Sequence, residues 1–384
     1  MGKAMLLVRN ADVYAPHPMG LQDLLLGGGR VLAMAPAIMP GSGCDYDTLD
    51  ADHCIVCPGY VDSLVHVSGG GGEGGFATRT PALDAHTALS AGATTLIGAL
   101  GTDDVTRTHA DLLAAARSLA VHGLSAYALT GSYRVPVRTL TGSVRDDLVL
   151  VPDIIGVGEI AIADHRGSHP QVDELARIGA DARVGGLLAG KSGTVLIHVG
   201  DAEEGLALLH AVSDRHPIPA AQWHPTHVNR HRALLQQAPD WTERGGSVDL
   251  TTSTTAALVA AGDIPAALAL AELLAAGVPV ECISLSSDGQ ASLPHFDARG
   301  RLLDLQVAPM HSLHASIVAA VREHGLDFAL ALTTATLSPA NIWGLPRKGR
   351  IEVGADADLL LLDRDTLALR VTIAGGQVHR FDAG

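Results

Sequence analysis

The middle of the chain repeats one pattern, a short apolar run that stops at polar residues and gives way to a helical stretch. The apolar runs are IVCPGYVDSLVHV, ATTLIGALGT, SAYALTGSY, IIGVGEIAIAD, TVLIHVGD, QWHPTHVN, SVDLTTS and CISLSSDG. Helical stretches such as DLLAAARSLAVHG and IPAALALAELLAAG stand between them. Runs that are apolar along their whole length suit parallel strands covered on both faces. Roughly eight strand–helix units in under ~300 residues predict an α/β fold, a (β/α)8 TIM-like barrel. A doubly wound sheet would use the same units but leaves the flanking segments unexplained.

Those flanking segments read as β-structure. MLLVRNADVY, DLLLGGGRVLAMAP and YDTLDADHC at the start, and GRIEVGADADLLLLD and LRVTIAGGQVHRF at the end, alternate apolar and polar residues around Gly-Gly turns. This pattern suits antiparallel strands. The expected organisation is a small β-sandwich from residues 1–54 and 346–384, with a catalytic barrel of residues 55–345 between.

The 384 residues carry a formal charge of −15, which argues against nucleic acid or an anionic membrane as partner. No apolar run approaches the ~20 residues a membrane span requires, and MGKAMLLVRNADVYAP lacks the features of a signal peptide. A cytoplasmic protein is expected. Cys44, Cys54, Cys57 and Cys282 are too scattered for a disulfide framework, and the Cys54–Cys57 pair, with no second such pair, reads as buried thiols.

In a barrel of this kind the chemistry sits where the strands end. The ends here carry His66, Thr102, Tyr133, Asp164, His198, His227 and Asp288. His198 in IHVGD, His227 in HPTHVNR and Asp288 in LSSDG fall in order on one strand end, the next and the last. Imidazole and carboxylate are the usual ligands of a hydrolytic zinc, and a nearby carboxylate can take a proton from water activated by the metal. His311 and His314 in HSLH have a ligand-like spacing but lie in a helical stretch, and are read as structural, and His224 also lies near a motif segment.

The order of these motifs, with the ending NIWGLPRKGRIEVGADADLLLLD, resembles the amidohydrolase superfamily. Within it the chain resembles the isoaspartyl (β-aspartyl) dipeptidases over nearly its whole length. The stretches that carry the likeness are CPGYVDSLVHVSGGGGEGGFATRTP, GALGTDD, LTGSYRVPVRTLTGSV, AIADHRGS, RVGGLLAGKSG, PTHVNR and LSSDG. The resemblance implies a role for each matching residue. Glu73 would hold the substrate's α-ammonium, Arg166 and Arg230 its carboxylates, and Thr102 and Ser292 would line the pocket. Tyr133 would polarise the scissile carbonyl, and Asp288 would act as general base and then acid. His198 and His227 would bind metal, with His66 and Asp288 as further candidate ligands. A small zwitterionic or anionic dipeptide-like substrate and a homo-oligomer are implied as well.

Two positions depart from the family pattern. The family's His-x-His at the end of the first barrel strand reads Leu64-Val65-His66 here, and its carboxylated lysine is replaced by Glu159. Leucine cannot bind a metal, whereas glutamate offers a carboxylate without modification. The expected site is therefore one zinc on Glu159, His198 and His227 with a position left for water, similar to the single-metal arrangement of N-acetylglucosamine-6-phosphate deacetylases. Two zincs bridged by Glu159 are the alternative. The expected activity is hydrolysis of β-aspartyl dipeptides or a closely related side-chain-linked amide. The rival readings are a paralogue acting on another amide or a cyclic amide, and a binding protein that has lost its metal.

Overall fold

The structure, a computed structural model, describes residues 5–41, 43–72, 74–296, 299 and 301–381. Each of the eight apolar runs supplies a barrel strand. In order these are Tyr60–Val65, Ala93–Gly98, Ser125–Thr130, Ile154–Ile162, Thr194–Val199, Trp223–Thr226, Val248–Thr251 and Ile283–Ser286. The first six form one parallel sheet in chain order, and the last two pair with each other. Side-chain and backbone bonds close the ring. The Thr226 hydroxyl donates to Asp249 Oδ2 at 2.7 Å, and the His66 N–H donates to the Gly289 carbonyl at 2.8 Å.

Burial explains why these strands were readable. All nine residues of Ile154–Ile162 and all six of Thr194–Val199 are buried, as a parallel sheet under a helical layer demands. The helices begin on caps written into the sequence. Thr108 and Asp111 form a reciprocal capping box ahead of His109–Ala120, and Gln171 with Glu174 does the same for Val172–Ala189.

The strands of both chain ends join one sheet around its own core, which includes Val8, Val13, Leu24, Val56, Leu361 and Ile373. Two details differ from the sequence reading. First, the sheet is mixed rather than antiparallel throughout: Met5–Tyr14 runs antiparallel to Pro18–Gly27 but parallel to both Tyr46–Asp50 and Cys54–Pro58. The intervening strand Arg30–Ala35 brings the chain back in its original direction, which alternation of apolar residues cannot reveal. Second, the run IVCPGYVDSLVHV is two strands. Cys54–Pro58 pairs with Leu359–Asp363 in the sheet of the chain ends, and the barrel opens only at Tyr60. Gly59 makes the transition, because any Cβ there would collide with the Thr94 side chain.

A buried cation ties the two parts together. Lys348, 4% exposed, donates to Ser125 Oγ on the third barrel strand and to Asp358 Oδ2, both at 2.6 Å, and lies 2.9 Å from Asp356. The charged cluster in PRKGRIEVGADAD is thus a latch between sheet and barrel. Among the described residues, no helix is long and apolar enough to cross a membrane.

Candidate active site

The ends of the fourth, fifth and sixth barrel strands bring Glu159, His198 and His227 together, all three buried, with one ligand atom from each within 4.8 Å of the others. Glu159 Oε2 lies 3.4 Å from His198 Nδ1 and 3.5 Å from His227 Nε2. It is buried and has no hydrogen-bond partner. Those separations are too long for good hydrogen bonds. They match the edge of a tetrahedron of ligands about 2.0–2.2 Å from zinc, which is about 3.3–3.5 Å. The donor set and its spacing therefore fit a metal ion.

Each imidazole is oriented from behind. His198 Nε2 lies 2.9 Å from Asp164 Oδ2, so Nε2 carries the proton and Nδ1, 3.4 Å from Glu159 Oε2, is left as an acceptor. The Tyr133 hydroxyl donates to that same Nδ1 at 2.7 Å. His227 Nδ1 is 2.6 Å from the Thr251 hydroxyl, leaving Nε2 to face the cluster. Burial lowers His227 to about 4, so the ring is neutral at ordinary pH.

The other oxygen of Glu159 faces a second group. His66 Nε2 lies 3.7 Å from Glu159 Oε1 and 3.1 Å from Asp288 Oδ1. Burial opposes a charge on His66, yet Asp288 and Glu159 bring it up to about 9. Leu64, two residues earlier, is fully buried against Ile97, Leu129 and Leu196 in the apolar filling of the barrel. The backbone at His227 and Asp288 is left-handed, with φ of 64° and 50°. Such positions are uncommon outside glycine and concentrate at functional sites.

Arg166 and Arg230 converge on Asp164. The Arg166 Nε and Nη2 donate to its two oxygens at 3.0 and 2.7 Å, and Arg230 Nη1 lies 3.9 Å from Oδ2. Burial acts to raise the Asp164 carboxyl, but His198 and Arg166 keep it well below the usual carboxylate range. The Arg166 guanidinium also sits 5.5 Å from the centre of the Tyr133 ring. Burial, reinforced by Glu159, raises the Tyr133 phenol well above its ordinary value, so it remains a donor.

Of the remaining expected residues, Thr102 follows Gly101, whose position abuts the His66 ring, and Ser292 packs against Gly71 of the glycine loop. Glu73 lies outside the described residues. The loop around it is held by Arg107, a buried side chain that sequence reading missed. Its guanidinium donates to the carbonyls of Ser68, Gly70 and Thr80. Gly69, at φ 82°, is where the loop comes closest: a Cβ would sit 2.5 Å from the Thr80 carbonyl oxygen. Two other histidines near the motif segments have partners of their own. His224 is bonded between Ser247 and Ser284, and His314 between Tyr60 and the Leu367 carbonyl. The thiols of Cys54 and Cys57 are free.

Known proteins share this architecture. The amidohydrolase family model matches residues 257–378. The β-aspartyl dipeptidase of Fervidobacterium islandicum AW-1, solved with a β-Asp-Leu dipeptide, is 36% identical with a TM-score of 0.92, covering 100% of this chain and 99% of that one. A second structure of the dipeptidase from that organism gives 35% identity and a TM-score of 0.88, with 99% of each chain covered. A dihydroorotase of Staphylococcus aureus strain Mu50 is 38% identical over 69 residues, which span 18% of this chain and 16% of that protein. The full-length likeness and the barrel with its strand-end histidines agree: this chain is a hydrolase and belongs to the isoaspartyl dipeptidase family of the amidohydrolase superfamily.

Proposed function

We propose that the chain hydrolyses β-aspartyl dipeptides, or a closely related side-chain-linked amide, with one zinc on Glu159, His198 and His227. The observation that carries this reading is the junction of two half-sites. The Glu159–His198–His227 cluster, through His198, and a pair of arginines meet at a single carboxylate, Asp164. Zinc in that cluster would supply Lewis acidity, acidifying water and polarising a carbonyl. Asp288, held 3.1 Å from His66, takes the proton of the attacking water and returns it to the leaving amine. Tyr133 donates to the carbonyl oxygen as charge develops there. Arg166 and Arg230 hold the substrate carboxylates, a task suited to the guanidinium fork. Glu73 holds the α-ammonium, while Thr102 and Ser292 line the pocket. The β-Asp-Leu bound by the Fervidobacterium islandicum enzyme supports this substrate class.

A bridged pair of zincs is the second reading, favoured by the reach of Glu159 Oε1 towards His66. Metal content per chain, set beside turnover of β-Asp-Leu, α-Asp-Leu and dihydroorotate, tests the proposal. The expected result is one zinc, cleavage of β-Asp-Leu alone, and a kcat lowered about 10²–10⁴-fold by Asp288→Asn with zinc retained. Full activity in Asp288→Asn would refute the mechanism, and turnover of dihydroorotate in place of β-Asp-Leu would refute the substrate class.

A further inference from the structure

Asp164 follows the fourth barrel strand and is 6% exposed. A carboxylate accepts about four hydrogen bonds, and every one is taken here. Oδ1 accepts the backbone N–H of Arg166 at 2.8 Å and its Nε–H at 3.0 Å. Oδ2 accepts Arg166 Nη2 at 2.7 Å and His198 Nε2 at 2.9 Å. With no lone pair to spare, Asp164 can neither bind a metal nor take a proton from substrate. We propose that Asp164 is the positioning residue that joins metal capture to substrate recognition, fixing the tautomer of His198 while its remaining contacts anchor Arg166. The inference rests on the roles proposed above for His198 and Arg166.

The amide of Asp164→Asn cannot reproduce this pattern. With its oxygen at the Oδ1 position, its NH2 faces His198 Nε2, and the ring is satisfied only by moving its proton to Nδ1. That removes the acceptor at Nδ1 beside Glu159. With the amide reversed, the NH2 meets two donors of Arg166. Either way zinc affinity falls, by about 10–100-fold as for other partners that orient metal-bound histidines. Zinc affinity is read by chelator competition on protein whose fold is checked by near-UV circular dichroism. In Asp164→Asn, kcat on β-Asp-Leu returns when zinc is added above the new Kd, a rescue that a merely structural defect would not show, while KM stays raised because Arg166 has lost its anchor. A zinc Kd within about threefold of wild type, or a kcat that excess zinc does not restore, overturns the proposal. Should the Asn variant not fold, Asp164→Ser is judged by the same two criteria. A wild-type chain that binds zinc but spares β-Asp-Leu overturns the proposed function alone, because the titration needs no substrate.

Discussion

Beneath the active site the barrel holds two buried carboxylates, and one of them makes a quantitative test. Asp62 on the first strand is fully buried; its Oδ1 accepts the Ser287 N–H at 2.9 Å, and its Oδ2 has no hydrogen-bond partner. Burial pushes its carboxyl up to about 7. In an unfolded chain an Asp titrates near ~3.9. Between those values the native state holds a proton that the unfolded chain has released. Stability is therefore fully present below pH ~4, falls by about 1.4 kcal/mol per pH unit as pH rises, and levels off above pH ~7. The total cost is on the order of 4 kcal/mol. Asn at this position keeps an acceptor for Ser287 and cannot ionise. Asp62→Asn should match wild type near pH 4, exceed it by about 1.5 kcal/mol at pH 5, and exceed it by as much as about 4 kcal/mol at pH 8. Urea-unfolding midpoints of the metal-free proteins at pH 5, 6, 7 and 8 measure this. Profiles that run parallel across the range would refute the reasoning, since Asp62 would then titrate alike in both states.

Two further perturbations probe the supports of the site. Arg107→Met removes the donors that hold the carbonyls of Ser68, Gly70 and Thr80, and with them the set of the glycine loop. KM for β-Asp-Leu should rise about tenfold, the effect of roughly one charged hydrogen bond, with a smaller change in kcat; steady-state kinetics on zinc-saturated enzyme decide it. Lys348→Met strips the buried Asp358 of its cation, leaving it the Gly375 N–H at 2.7 Å. A loss of about 3–5 kcal/mol in stability is expected, seen as a lower Tm, with kcat per folded chain unchanged.

The sequence made the barrel legible because each strand is covered on both faces and so appears as an unbroken apolar run ending in a polar residue. The same logic exposed His198, His227 and Asp288, which stand where such runs stop. It failed where structure depends on direction or on partners far along the chain. The parallel pairing of Met5–Tyr14 with two later strands leaves no mark in alternation. Arg107 acts on carbonyls 27 to 39 residues earlier, so nothing local distinguishes it from a surface arginine. Asp164 was visible as a strand-end carboxylate, two residues before Arg166, but its bond to His198 crosses to the neighbouring strand. Nor does the sequence betray the left-handed backbone at His227 and Asp288, which is imposed by where their strands turn.

Leu64 and Glu159, the two departures that the sequence reading joined into a single-metal site, are consistent with one physical change. The two sides of Glu159 are unequal. Towards His198 and His227 the separations of 3.4 and 3.5 Å exceed hydrogen-bond contact and match the spacing of ligands around a shared ion. Towards His66 the nearest pairing is the shorter, 3.1 Å approach of His66 Nε2 to Asp288 Oδ1, an oxygen that, like Glu159 Oε2, has no hydrogen-bond partner. Leu64 contributes apolar packing to the barrel filling, not a ligand, on that side. An ion there would have to part His66 from Asp288 and then find only a lone histidine and carboxylates. An ion on the opposite side would enter a gap already framed by two oriented imidazoles, and would leave Asp288, the proposed proton carrier, beside His66. The asymmetry supports a division of labour in which metal binding and proton transfer lie on opposite oxygens of Glu159.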